Sequence, residues 1–509
     1  MNYLFVLSPL LTVALGGLLL MLAEAFGKPA PAEPGVEIVD AGSGRAAELS
    51  LGATVVLFAG AVFAVALWMV GPDSLEATAK IAPYLIIDEF SMFFAFLLCL
   101  GGGLAALLAG GYLPEHGIDR SELFPLIVFA TLGAMALSAA GDLLTLFIGL
   151  ETMSIGVYGM VGIRRSPRGI EAALKYFLLG SFASALMLFG AALLYGATGH
   201  TDLAGIGASL ASLGDAESGV RSAPLALVAM VLVLAGLSFK IAAVPFHMWT
   251  PDAYEGAPTP VTTFMAVAVK SAAFAILLRV LLVGFADERL ASWGTGWPPA
   301  LALLAVLTMT VGNLVAGRQE SVKRMLAYSS IAHAGYLLVG VVATMRSEAA
   351  QASVLFYLLA YTVSTVGAFG ALILCGHRGA EAVSYEDLAG IGRRHPAAAL
   401  AFSLFLLSLA GVPPLAGFFG KLGVFQAAID AEMYVLAVIG LVNSLIGAYY
   451  YLRVMVYMYM REPGPGAPIA TPMKSAYVSV VLVVAAFLVI WWGISPLLLG
   501  PEVTAIVAR

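Results

Sequence analysis

Hydrophobic residues fall along this chain in long unbroken runs, not at alternating positions. Fourteen runs can be marked, at about 3–25, 50–70, 90–111, 123–140, 142–162, 171–196, 224–245, 258–284, 298–316, 328–345, 352–376, 397–426, 431–458 and 475–498. Each is long enough to cross a hydrocarbon core of ~30 Å as a helix rising about 1.5 Å per residue. A membrane barrel would instead show segments of ~10 residues with alternating polarity. The pattern predicts an all-α polytopic membrane protein of about 14 transmembrane helices. The first run lacks a basic leader and a small-residue cleavage site, so a retained span is expected there.

Composition agrees. Of 509 residues, 61% are hydrophobic and 11% charged, where soluble domains run nearer ~45–50% and ~25%. The mean hydropathy of +0.97 has the same meaning. The 55 glycines suit closely packed membrane helices. The two cysteines, Cys99 and Cys375, lie in apolar runs, which excludes a disulfide framework or a cysteine-ligated cluster. A net charge of −6 argues against nucleic acid as a partner. No glycine-rich phosphate loop is present.

Basic residues orient the spans. Loops after odd-numbered spans hold fourteen of the 25: Lys28, Arg45, Arg120, Arg164, Arg165, Arg168, Arg318, Lys323, Arg324, Arg378, Arg393, Arg394, Arg461 and Lys474. The other loops and the termini hold five: Lys80, Arg221, Arg289, Arg346 and Arg509. Positive charge collects on the cytoplasmic side, so both termini are expected outside, on the periplasmic side of an inner membrane. Two long loops stand out: residues 26–48 read as a cytoplasmic insert, and the Gly/Ser-rich residues 198–222 as a loop capping the outer face.

Two spans break the helix rules. Span seven contains AAVPF (Ala242 to Phe246), and span twelve contains AGVPPLAG (Ala410 to Gly417). Proline inside a helix removes a hydrogen bond, and such breaks survive at membrane depth where they face protein or a wet cavity. Paired broken helices in two halves of a chain point to inverted repeats. The expected division is 1–122 for spans one to three, 123–284 for a first five-helix repeat, 285–460 for a second, and 461–509 for span fourteen. Two unrelated proline kinks are the alternative.

The remaining six basic residues lie inside spans, and so does Glu151, the acid deepest in its run. A charge at mid-bilayer costs on the order of 3 kcal/mol or more and marks a pathway or a pair. Glu151 sits nine residues past Asp142, about 13 Å into the core. Lys240 precedes the first break, Lys270 sits mid-way along span eight, and Lys421 follows the second break. Glu151 and Lys240 on neighbouring helices can pair, each then tying its protonation to the other. A purely structural pair is the alternative, and the cost of burying both charges speaks against it. Lys240 and Lys270 have no acid within their own spans. A series of such groups is what lateral proton transfer needs, and His247 and His333 can fill gaps in it. Lys175 either joins the relay or snorkels to the interface. Arg279 and Arg453, near span ends, are expected to snorkel, and Asp88 and Asp142 to cap helices. Asp252 and Glu255 are expected in a short cytoplasmic loop, ordering it or forming a proton uptake mouth.

Three motifs carry a resemblance: HMWTPDAYEGAPTPV from His247, KRMLAYSSIAHAGY from Lys323 and GVPPLAGFFGK from Gly411. Together, over residues 80–460, they resemble the antiporter-like membrane subunits of respiratory complex I. Subunits of multi-subunit cation/proton antiporters and membrane-bound hydrogenases share the family. The resemblance implies fourteen core helices, two inverted five-helix repeats and discontinuous helices seven and twelve. By position, Glu151, Lys175, Lys240, Lys270 and Lys421 match the family's charged residues of spans five, six, seven, eight and twelve. It implies a proton translocase whose redox chemistry lies elsewhere. No cofactor is expected on this chain; NADH, flavin, iron–sulfur clusters and quinone belong to partner subunits. Neighbouring antiporter-like subunits and the lipid bilayer are the expected partners. A self-sufficient secondary transporter is the more distant alternative.

Overall fold

The computed structural model describes residues 2–27, 43–72, 75–118, 120–212, 222–294, 296–376, 381–464 and 472–499. The apolar runs become helices: α1 (Ser8–Phe26), α2 (Ser43–Val70), α3 (Glu89–Glu115), α4 (Leu123–Ser138), α5 (Leu143–Val161), α6 (Pro167–Thr198), α7 (Ser222–Lys240) and α8 (Trp249–Gly256). There follow α9 (Thr259–Gly284), α10 (Trp297–Ala316), α11 (Val322–Ala343), α12 (Ala349–Leu374), α13 (Pro396–Ala410), α14 (Ala416–Asp430), α15 (Tyr434–Met460) and α16 (Ala476–Leu499). Among the described residues eleven helices are long and apolar enough to cross a membrane, and α4, α7 and α13 are shorter apolar helices. Isolated bridges, and no strands, occur among those residues.

The helices sort into a centre and a rim. α3, α9, α11 and α12 are buried almost throughout, whereas α1, α2, α6, α10, α15 and α16 bury one face only. The outer faces are apolar: α15 exposes Val435, Val438, Leu441, Val442 and Leu445. No aqueous surface would tolerate such a patch, so lipid or protein covers it. Lys270 and Arg279 on α9 and Lys323 on α11 are buried charges of that centre.

Both broken spans are interrupted as the prolines predict. α7 stops at Lys240, and Ala242 takes a left-handed φ of 61°. The freed backbone finds partners: Val244 N–H donates to Thr308 Oγ1 on α10 at 2.9 Å, and Trp249 Nε1 donates to Phe239 O at 3.0 Å. α13 stops at Gly411, whose φ of 88° suits glycine alone. Gly417 N–H there donates to Ser408 Oγ at 3.2 Å.

Three expectations need correction. Asp252 and Glu255 lie in a helix, α8, not in a loop; Pro251 falls in its first turn, where the missing N–H is no loss. Arg279 does not snorkel: it is 6% exposed and forks onto Asp88 with bonds of 3.0 and 2.9 Å. Asp88 thus caps α3 and also pairs with Arg279. The segment 198–222 contains a helix, Leu203–Ser212, where its glycines and serines suggest a loop. Residues 213–221 of that segment, residues 28–42 of the first insert, and Lys28, Arg221, Arg378 and Arg509 lie outside the described residues.

Candidate functional site: a line of buried amines

The sequence-predicted residues other than His247 occupy four buried groups and one open cavity. In the first group Lys240, 2% exposed, ends α7. Its Nζ donates to Ser154 Oγ at 2.8 Å and to Tyr158 OH at 3.4 Å, both on α5. Rings of Tyr158, Tyr176 and Phe239 lie 5.6, 5.9 and 5.6 Å from the nitrogen. Glu151 instead accepts from Ser184 Oγ on α6 at 2.5 Å. The expected direct Glu151–Lys240 ion pair is not formed within 4 Å; Ser154, one turn along α5 from Glu151, takes the amine.

In the second group Lys270, also 2% exposed, donates from α9 to both the hydroxyl and the carbonyl oxygen of Ser330 on α11. Tyr361 OH on α12 donates to the same Ser330 hydroxyl at 2.8 Å. The Tyr361 ring centroid is 5.4 Å from Nζ. Lys270 directly follows a π-helical turn, Met265–Val269, a distortion that often marks function.

His333 forms the third group, between two tyrosines from different helices. Its Nδ1 is 2.7 Å from Tyr357 OH on α12, and its Nε2 is 3.0 Å from Tyr451 OH on α15. Tyr451 OH also bonds Ser329 Oγ. In the fourth group Lys421, 5% exposed, donates to Ala410 O and to Ser444 Oγ, each at 3.0 Å. The carbonyl it uses is one that the break at Gly411 sets free. The amine lies 5.0 Å from the Tyr336 ring. Ring contacts join the last three groups: His333 to Tyr361 at 5.1 Å and His333 to Tyr336 at 5.7 Å. No such contact or hydrogen bond joins Lys240 to Lys270 among the described residues.

Lys175 and His247 stand apart from this line. Lys175, its side chain 46% exposed, pairs with Glu171 at 2.7 Å and with Asp252 at 3.0 Å. Arg324 holds the other Asp252 oxygen at 2.8 Å. These residues, with Arg168 and Glu255, line an open cavity of about 350 Å³. His247 is half-buried in the first break, and its Nδ1 has no partner.

A family model described as NADH:quinone oxidoreductase/Mrp antiporter, TM, matches residues 140–447. NADH-quinone oxidoreductase subunit N 1 of Sorangium cellulosum (strain So ce56) is 66% identical over 504 residues, 98% of each chain. The chain belongs to the subunit N family of NADH-quinone oxidoreductases. A chain of respiratory complex I from Thermus thermophilus with bound aureothin superposes at a TM-score of 0.76, with 34% identity over 96% of this chain and 98% of that one. A chain of the Mrp complex from Dietzia sp. DQ12-45-1b, 22% identical, superposes at 0.80 over 99% and 97%; it shares the fold.

This N-family chain also holds polar groups that single-charge reasoning misses. Ser154, Ser330, Tyr336 and Tyr361 give the amines their partners, and Tyr357 and Tyr451 give His333 its own. The signal was present: Ser329, Ser330, His333 and Tyr336 recur at helical spacing in one span. A second miss is Glu381, nearly buried in the connection before α13, which takes Lys323 Nζ at 3.0 Å. Burial alone would raise its carboxyl. The Lys323 charge, with hydrogen bonds from Thr259, Tyr112 and Lys323, prevails and holds it at about 2.

Proposed function

We propose that this chain is the N-type membrane-arm subunit of an NADH-quinone oxidoreductase and translocates protons through its buried amines. One observation carries the reading. Lys240, Lys270 and Lys421 are each buried, and each is solvated by neutral hydroxyl or carbonyl oxygens, not by a carboxylate. An amine so held can gain or lose a proton without stranding a buried counter-charge. Moving one charge against 100 mV needs about 2.3 kcal/mol, a sum that repacking around one buried amine can supply.

Protons are taken up on the cytoplasmic side at the cavity of Lys175, Asp252, Glu255 and Arg324, which lies among the basic loops. They load Lys240 and Lys270, pass His333, and leave to the outside from Lys421. Glu151 acts through α5, where Ser154 holds Lys240. His247 faces the first break and serves uptake there. The redox cofactors and quinone are carried by other subunits, and neighbouring antiporter-like subunits flank this one in an inner membrane.

Internal echoes support two repeats. Asp142, at the start of α5, bridges to Asp202 beyond α6; Ser321, at the start of α11, bridges to Ser384 beyond α12. In α4 against α5, a Cβ at Gly133 would meet Met153 N at 2.4 Å; in α10 against α11, one at Gly312 would meet Ala332 N at 2.7 Å.

The test is Lys270→Ala in the assembled complex, reconstituted in liposomes, with protons counted per NADH oxidised. The expected result is a lower count with the subunit still assembled. An unchanged count rejects the relay. Purification of the tagged chain with NADH-oxidising and iron–sulfur subunits supports the complex I assignment. Recovery with antiporter subunits alone, and sodium-dependent transport, would move it to cation exchange.

A further inference from the structure

The helix that carries Lys270 is tied at both ends to a single neighbour. At its far end Arg279 forks onto Asp88, the residue that opens α3. At its near end α9 begins at Thr259 without a side-chain cap of its own, because Pro258 holds the cap position. Glu381 supplies the missing acceptor from outside. It takes Thr259 N–H at 3.2 Å, Thr259 Oγ1 at 2.6 Å and Tyr112 OH at 2.5 Å. Tyr112 lies near the end of α3. Lys323, which closes the cluster, also donates to Ala257 O at 2.6 Å and stands at the start of α11, the helix of Ser330.

The spans are comparable: Asp88 and Tyr112 are 24 residues apart along α3, about 36 Å, and Thr259 and Arg279 are 20 apart on α9, about 30 Å, a difference of about one helical turn that the bridging side chains take up. The two helices run antiparallel with a partly buried carboxylate at each end. Between the ties lies one irregular turn, the π-helical Met265–Val269, immediately before Lys270. The other π-helical turn, Val280–Gly284, lies beyond Arg279. A π turn holds one surplus residue. If it migrates past Lys270, that side chain reorients while both helix ends stay in place.

We infer that Asp88 and Glu381 are positioning residues for the relay. They fix both ends of α9 on α3, so that displacement of Lys270 is confined to the π-helical turn beside it. The inference rests on the proton-relay reading of Lys270. Tyr112, Lys323 and Arg279 act in the same device, each through one of the two carboxylates.

Asp88→Asn separates pinning from capping, because asparagine caps a helix about as well as aspartate but leaves Arg279 unpaired. Glu381→Gln keeps an acceptor for Tyr112 and removes the charge facing Lys323. Each variant of the whole complex is reconstituted in liposomes, with NADH oxidation and proton translocation measured separately. The expected result is about a twofold or larger fall in protons per NADH, with NADH oxidation retained and partial recovery in Asp88→Glu. An unchanged proton count in both assembled variants, while Lys270→Ala lowers it, overturns the pinning. An unchanged count in Lys270→Ala as well overturns the relay itself. Deuterium exchange on the unaltered complex, with and without turnover, covers the case of variants that do not assemble. Turnover is expected to speed exchange at 265–270 and to leave 271–279 unchanged. A uniform rise along 259–279 overturns the pinning.

Discussion

Lys240 is held by Ser154 and not by Glu151. The amine donates to the serine hydroxyl at 2.8 Å, while Glu151, three residues earlier on α5, accepts from Ser184. The serine also donates to Leu150 O, so its single proton is spent and its lone pairs face the amine. Ser154→Ala removes the nearest oxygen and leaves Tyr158 OH at 3.4 Å. A hydrogen bond to a charged group is worth about 1.5–3 kcal/mol. The expected effect is a roughly tenfold or greater drop in the rate of coupled proton transfer, against a smaller one for Ser184→Ala. Equal pumping in wild type and Ser154→Ala complexes would show that the serine is packing only.

His333 offers a sharper test, because two hydroxyls share one ring. A neutral imidazole donates from one nitrogen and accepts at the other, so the orientations of Tyr357 OH and Tyr451 OH are coupled through it. Tyr357→Phe and Tyr451→Phe are each expected to slow proton translocation. The double variant is expected to cost less than the sum of the singles, with a coupling of about 0.5–3 kcal/mol. Additive losses in that cycle would mean that the two tyrosines act independently of the histidine.

Asp252 bridges Lys175 and Arg324 at the open cavity. The pairs are about a third to a half exposed, so solvent screens them and each contributes little to stability. Asp252→Asn is therefore expected to leave assembly intact. If the cavity gathers protons, the same variant lowers the pumping rate, most at low ionic strength, where screening is weakest. Pumping indifferent to Asp252→Asn at every salt concentration places the uptake mouth elsewhere.

The spans were legible because bilayer thickness leaves one long apolar run per helix. The breaks were legible because proline cannot donate within a helix. Lys240, Lys270 and Lys421 stood out because buried charge is rare. What the runs do not carry is partner choice. Ser154 and Glu151 lie on the same helix, and only three-dimensional packing decides which of them Lys240 meets. Lys323 read as a loop charge of the cytoplasmic side, although it is 1% exposed. Its partner Glu381 is 58 residues away, in a connection whose sequence resembles any polar loop. Arg279 misled for the same reason: Asp88 lies 191 residues before it.

Glu381 gives a prediction that depends on pH with a definite sign. Its carboxyl sits at about 2 in the folded chain, below an ordinary value of 4.5. A depressed acid stabilises the fold fully above its unfolded value and loses that contribution as pH falls towards its folded value. The difference corresponds to about 3 kcal/mol, present at pH 7, fading below about pH 4.5 and gone near pH 2. Thermal release of this subunit from the purified complex can be followed at pH 7, 4.5 and 3, in wild type and in Glu381→Gln. The wild type is expected to hold the subunit to higher temperature at pH 7, and the gap to narrow as pH drops below about 4.5, because the unfolded chain then takes up the Glu381 proton while the folded chain stays ionised until about pH 2. A gap that stays constant from pH 7 to pH 3 would falsify the ion-pair account and leave the cluster of Thr259, Tyr112 and Glu381 held by neutral hydrogen bonds alone.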